Sequence, residues 1–173
     1  ADEVTWQYWS ARNELIQVTD PVNRVVGRAY DAAGNQITLT NRNGKKWQFE
    51  FDAANRLTNT ISPLNRQTSQ TWNDRGLLAS VKEPSGDTAA LSYDAKGRLI
   101  NRTDSMGTII YRYDANDNQT SVVANGKTNA WTFDAYDRVS IYRDADSNLL
   151  QYLYDANGNL TSLFYCVKNR TLA

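Results

Sequence analysis

No histidine occurs anywhere in this 173-residue chain, and only one cysteine, one methionine and three prolines do. Without His the chain lacks the commonest acid/base residue, the commonest metal ligand and every Ser-His-Asp or Cys-His arrangement. A single Cys excludes an intrachain disulfide and a Cys-cluster zinc site. Lys+Arg and Asp+Glu both number 19, so no charge excess marks a nucleic-acid or acidic-membrane partner. No apolar run approaches the ~20 residues of a membrane-spanning helix. The first residue is Ala1 rather than Met, and no signal-like apolar segment follows it, which reads as a processed end or a cut in a longer protein. What the chain does have is aromatic: five Trp, ten Tyr and four Phe in a sequence only 40% hydrophobic. That bias favours strands over a helical bundle.

The aromatics are spaced. Trp9, Tyr30, Phe51, Trp72, Tyr93, Tyr113, Phe133 and Tyr154 stand 21, 21, 21, 21, 20, 20 and 21 residues apart, which gives eight copies of one unit. One residue after each anchor come Ser10, Asp31, Asp52, Asn73, Asp94, Asp114, Asp134 and Asp155. Four after it come Asn13, Gly34, Asn55, Gly76, Gly97, Asp117, Asp137 and Gly158. Asp, Asn and Ser at the first place of a type I turn accept backbone N–H bonds. Gly, Asn and Asp tolerate a left-handed backbone at the fourth. The pattern predicts a hairpin loop closed by a Gly-type bulge.

A second turn falls half a copy later. Pro21, Pro63 and Pro84 all lie twelve residues after an anchor, and Asn23, Gly44, Asn65, Gly86, Gly107, Gly126 and Ser147 lie near the fourteenth. Six or seven residues remain between turns, a usual strand length. The expected fold is all-β: a curled antiparallel strip of about sixteen strands arranged as tandem hairpins, one array over 1–173 with a tail at 164–173 outside the pattern.

Pairing each anchor with the residue six later places Trp9 opposite Leu15, Phe51 opposite Leu57, Tyr93 opposite Leu99 and Tyr154 opposite Leu160. One face then carries an aromatic ladder and the other is largely polar. An odd period needs either two turns of different loop length or a bulge to keep all anchors on one face. The expectation is that the two turns differ, and that a bulge is gained or lost in the short copies ending at Tyr113 and Phe133. Sixteen strands at ~4.8 Å span on the order of 75 Å, beyond what open sheets sustain without curling or splitting. One layer leaves its aromatic face wet, so the strip must curl, cover something, or continue into a larger assembly.

The unit Tyr-Asp-Ala-Xaa-Gly-Asn/Arg-Leu is clearest at Tyr93-Asp94-Ala95-Lys96-Gly97-Arg98-Leu99 and Tyr154-Asp155-Ala156-Asn157-Gly158-Asn159-Leu160. It resembles the YD repeat of the Rhs (rearrangement hotspot) family, over about Trp6 to Leu163. The resemblance implies a non-catalytic segment of a secreted or bacterial cell-surface protein. In that family, hairpin strips wind into a hollow shell that, in the toxins, encloses a variable C-terminal toxic domain. The implied partners are further repeats or a toxin domain of a parent protein, or a second copy. Eight copies are too few for a closed shell, and no toxin domain or self-cleavage region is present.

Competing chemistry is weaker. Asp114-Xaa-Asn116-Xaa-Asn118 and Asp144-Xaa-Asp146-Xaa-Asn148 start like EF-hand loops, but Gln119 and Leu149 replace the Gly and Asn125 and Asp155 the Glu. Turn capping explains these Asp residues, so neither a metal nor a cofactor is expected. Trp131, Trp72 and Tyr111 could stack on sugars, which leaves a glycan- or receptor-binding adhesion module as the alternative. A glycosidase needs one special carboxylate pair, and a repeat offers no reason for one. Cys166 stands without CxxC or His. The Asn-Xaa-Thr triplets at Asn101, Asn118, Asn159 and Asn169 fit chance in an Asn- and Thr-rich chain.

Overall fold

The computed structural model describes residues 5–167. Within them the chain is entirely β-strand and turn, in two compact units, Ala1–Thr88 and Ala89–Ala173. The first unit holds β1 (Trp6–Trp9), β2 (Leu15–Thr19), β3 (Val25–Tyr30), β4 (Gln36–Thr40), β5 (Lys46–Phe51), β6 (Leu57–Ile61), β7 (Gln67–Trp72) and β8 (Leu78–Lys82). The second holds β9 (Thr88–Tyr93), β10 (Leu99–Asp104), β11 (Gly107–Tyr113), β12 (Gln119–Ala124), β13 (Lys127–Phe133), β14 (Val139–Arg143), β15 (Leu149–Tyr154) and β16 (Leu160–Cys166). Inside each unit every strand pairs antiparallel with the next, as in β3–β4 and β4–β5 or β11–β12 and β12–β13. Eight hairpins result, one per copy.

All eight anchors pair with the residue six later, from Trp9 with Leu15 to Tyr154 with Leu160. Each loop is closed in the same way. In the copy at Tyr30, Asp31 N donates to Asn35 O (3.0 Å) and Gly34 N to Asp31 O (3.2 Å). Every residue four after an anchor has positive φ, from 58° at Asp137 to 90° at Gly34. This is the left-handed position where a β-branched side chain clashes with its own backbone, and Gly, Asn and Asp alone occupy it.

The parity problem is solved differently from the sequence expectation. In the first unit the second turns match the anchor turns: Asn41 N donates to Lys45 O (2.9 Å) and Gly44 N to Asn41 O (2.9 Å). Two like turns and an odd period would alternate the anchors between faces. A bulge beside every anchor prevents it: Ala29 pairs with Thr38 but Tyr30 with Gln36, leaving Ile37 unopposed. The short copies keep this bulge, at Arg112/Tyr113 and Thr132/Phe133. They lose length at the second turn instead, where Asp104 pairs directly with Gly107 and Ala124 with Lys127. A two-residue loop lets both flanking strands pair one residue further. Thus β10 and β11 have 6 and 7 residues where β4 and β5 have 5 and 6, and the copy is one residue shorter overall. Only in these copies do the two turns differ in length.

The faces follow the pleat. In β5, Trp47, Phe49 and Phe51 are half-buried while Lys46, Gln48 and Glu50 are exposed. The same alternation runs through Ala89, Leu91 and Tyr93 in β9. Among the described residues no hydrophobic side chain is buried; only Asp20 and Ser121 are. Among the described residues each unit is a single layer, with no second layer over its aromatic face.

The turn pattern stops after Leu163, but the strand does not. β16 continues to Cys166, which pairs with Leu149. Phe164, Tyr165 and Cys166 supply no Gly, Asn or Pro to turn the chain, so pairing runs on. The rest of the 164–173 segment beyond Val167, with Asn169, lies outside the described residues.

Candidate functional site

The chemistry-bearing side chains converge on the row of anchor turns. Each turn carboxylate caps its own loop: Asp31 Oδ1 accepts from Ala33 N (2.9 Å) and Asn35 N (2.9 Å). Asp114, Asp134 and Asp155 repeat this pair of bonds. Its second oxygen accepts from the side chain five after the anchor. Asn35, Asn118 and Asn159 donate an amide there, and Arg56, Arg98 and Arg138 donate Nε at 2.7 Å. These bonds stabilise the ionised form. Hydrogen bonding by Asn35 holds the Asp31 carboxyl below the usual value, Arg56 does so for Asp52, and Asn159 for Asp155.

The same side chains tie one copy to the next. Arg98 Nη1 donates to Asp114 O (3.1 Å) and to Asp117 Oδ1 (2.6 Å), while its guanidinium lies 4.6 Å from the Tyr113 ring centroid. Arg56 sits 5.8 Å from Trp72, and Arg138 4.4 Å from Tyr154. Asn118 Nδ2 reaches Asp137 Oδ1 (2.6 Å), and Arg12 reaches Asp31 O (2.6 Å) and Ala32 O (2.8 Å). The planar guanidinium suits this role, because it bonds along its edge and stacks on its face at once.

A second set of bonds uses the polar group of four Tyr and Trp anchors. Tyr30 Oη donates to Leu15 O (3.1 Å), Trp72 Nε1 to Leu57 O (2.8 Å), Tyr113 Oη to Leu99 O (2.9 Å) and Tyr154 Oη to Val139 O (2.9 Å). Each accepting carbonyl belongs to the partner of the preceding anchor, at the bulge. An unpaired carbonyl on a half-buried face is costly, and the next anchor satisfies it. Phe51 and Phe133 cannot donate. They are the two anchors whose preceding partner is Gln, Gln36 and Gln119. That correlation, and the recurrence of Arg and Asn five after the anchor, were the available signals for both networks.

The other candidates are accounted for by these contacts. Trp131 packs on Tyr142 with ring centroids 5.4 Å apart, and Tyr111 lies in β11 opposite Val122. Asp114 and Asp144 spend their oxygens on turn amides and on Asn118 and Asn148. Among the described residues no group of three or more metal-ligating side chains comes together. Cys166 is free and exposed.

Within each unit, a tandem array of bulged hairpins tied turn to turn defines a structural repeat segment. The RHS repeat family model matches residues 8–46, 30–67, 51–88, 72–109 and 93–128, so the chain belongs to the RHS repeat family. Solved structures share the fold at low identity. The Tc holotoxin pore of Photorhabdus luminescens aligns with a TM-score of 0.75 and 15% identity over 94% of this chain and 11% of that one. The TcdB2-TccC3-Cdc42 structure gives 0.76 and 15% over the same shares. The TcdB2-TccC3-TEV structure gives 0.75 and 16% over 98% and 10%. The chain thus spans about a tenth of the length of these neighbours. No curated protein sequence matches it.

Proposed function

We propose that this chain is a non-catalytic wall segment of a secreted or surface-exposed bacterial Rhs-type protein, a toxin or a wall-associated protein. Its anchor face lines a β-shell that encloses or presents a polypeptide, such as a C-terminal toxin. On this reading 1–173 is one array of eight repeats. The anchors Trp9, Tyr30, Phe51, Trp72, Tyr93, Tyr113, Phe133 and Tyr154 build the wall, and the turn residues Asp31, Gly34, Asp52, Asp94, Gly97, Asp114, Asp134, Asp155 and Gly158 hold its rim. The supporting observation is the uncovered aromatic face: within each unit the anchors lie on one side of a single layer, and no hydrophobic side chain is buried among the described residues. Apolar area left in water forgoes roughly 25 cal/mol per Å². A working protein therefore gains by covering this face with chain of its own.

The test is limited proteolysis of the full-length parent protein. The enclosed polypeptide should resist cleavage in the native protein. It should become sensitive when Phe49→Lys and Tyr111→Lys place charges on the anchor face. A polypeptide cut equally fast in both would overturn the enclosure. Saturable glycan binding by the native chain, lost on the same substitutions, would move the assignment to an adhesion module. Against that alternative, the Trp72 indole N–H is already spent on Leu57 O and the Trp131 ring on Tyr142.

A further inference from the structure

Two copies of the repeat place an arginine alike and differ in what surrounds its free edge. In the copy anchored at Tyr93, Arg98 bonds Asp94, stacks on Tyr113 and sends Nη1 to Asp117 Oδ1 at 2.6 Å. Lys96 Nζ holds the same oxygen, also at 2.6 Å. In the copy anchored at Phe133, Arg138 bonds Asp134 and stacks on Tyr154, 4.4 Å away. The following turn carries Gly158 where the earlier one carries Asp117. A Cβ at Gly158 would stand 3.6 Å from Arg138 Nη1, so a side chain there would reach the guanidinium as Asp117 reaches Arg98. None does, and Arg138 Nη1 hydrogen-bonds to no described residue. Tyr136 takes the place of Lys96. Its ring lies 5.2 Å from the Arg138 guanidinium and is 79% exposed. Tyr136 and Arg138 line an open groove with Ala156, Asn157 and Gly158.

We propose that Arg138 and Tyr136 form a binding site for the carboxylate of an acidic peptide, seated over Gly158 in the position that Asp117 fills in the earlier copy. The guanidinium is already fixed by Asp134 on one edge and by two aromatic rings, so little freedom is lost when its other edge binds. A charge-assisted bond to Nη1 is the strong kind, and the Tyr136 hydroxyl supplies a second donor. The neighbouring carboxylates have partners of their own. Asp134 takes Arg138, Asp137 takes Asn116 and Asn118, and Asp155 takes Asn157 N, Asn159 N and the Asn159 amide.

The probe is the blocked tripeptide acetyl-Gly-Asp-Gly-amide, titrated into the ¹⁵N-labelled chain at constant ionic strength, with the Asp→Asn peptide as control. The Asp peptide should shift the amides of Tyr136, Arg138 and Ala156–Gly158 saturably, with a millimolar dissociation constant, and the Asn peptide should not. Gly158→Asp should abolish the response by filling the site from within. The turn accepts this change, since Asp117 and Asp137 adopt φ of 73° and 58° at the same position. Arg138→Asn should also abolish it. Asn serves at this position in other copies, as Asn118 and Asn159, so the turn itself survives. No saturable shift with the Asp peptide, an equal response to the Asn peptide, or an undiminished response in Gly158→Asp or Arg138→Asn would overturn the site.

Discussion

The two units run the same repeat with different second turns. In the first, second turns copy the anchor turns and each holds the chain in a five-residue closure, as at Asp20–Arg24, Asn41–Lys45 and Ser62–Arg66. In the second, two of them collapse to two-residue loops, at Ser105-Met106 and Asn125-Gly126. The anchor turn never varies in either unit. The difference teaches which turn is fixed by its neighbours and which is a connector. An anchor turn is held by its own carboxylate, by the side chain five after the anchor and by the next copy's ring. A second turn is held mostly by itself, so it can shorten while the flanking strands absorb the change.

The comparison can be broken most severely by deletion. Removing Asn43 from a second turn of the first unit should leave a folded chain, because the second unit already contains shorter turns. Removing Ala54 from an anchor turn should abolish cooperative unfolding, because it displaces Asp52, Arg56 and Phe51 from their partners together. Thermal melts followed by circular dichroism read both, and equal damage would end the distinction.

Acid should separate the units next. Depressed carboxyls number six in the second unit, at Asp94, Asp117, Asp134, Asp137, Asp144 and Asp155, and three in the first, at Asp20, Asp31 and Asp52. A carboxyl whose folded pKa lies below its unfolded 3.8 contributes stability that is fully present above that value. The contribution is lost as pH falls through the lower folded value. Both units should hold above about pH 4, and below it the second should lose hydrogen-exchange protection before the first. Loss in the reverse order would show that the carboxylate network does not govern their relative stability.

Single substitutions sharpen the picture further. Gly97→Val forces a β-branched residue to φ of 86° and should cost about 2 kcal/mol in urea denaturation. Thr71→Val, on the polar face and bonded only to Ser80, should cost less than about 0.5 kcal/mol. Equal losses would sink the turn assignment. The smallest effect expected of the anchors is from Tyr113→Phe, which removes the bond to Leu99 O for about 1 kcal/mol. The same substitution in a chain whose carbonyl is otherwise satisfied should be neutral.

The turns were legible because their chemistry is local. Asp at the first place and Gly, Asn or Asp at the fourth satisfy the loop within five residues, whatever the rest of the chain does. The strand count, the anchor pairs and the two-faced pattern follow from those turns and from period-two alternation. A bulge was one of two ways the odd period could keep the anchors on one face, but its presence in every copy and its place beside the anchor were not legible. Ile37 is an ordinary strand residue by composition, and only the register between Ala29–Thr38 and Tyr30–Gln36 shows that nothing opposes it. Nor was the ladder from Arg98 to Asp117, whose members stand 19 residues apart and meet only because the hairpins are stacked in register.

The sequence by itself determined where the chain turns, because left-handed backbone and carboxylate capping are properties of single residues. The tertiary structure decided how consecutive copies hold one another. A carbonyl freed by a bulge, a ring from the next hairpin and a guanidinium between them become neighbours only after the strands have paired.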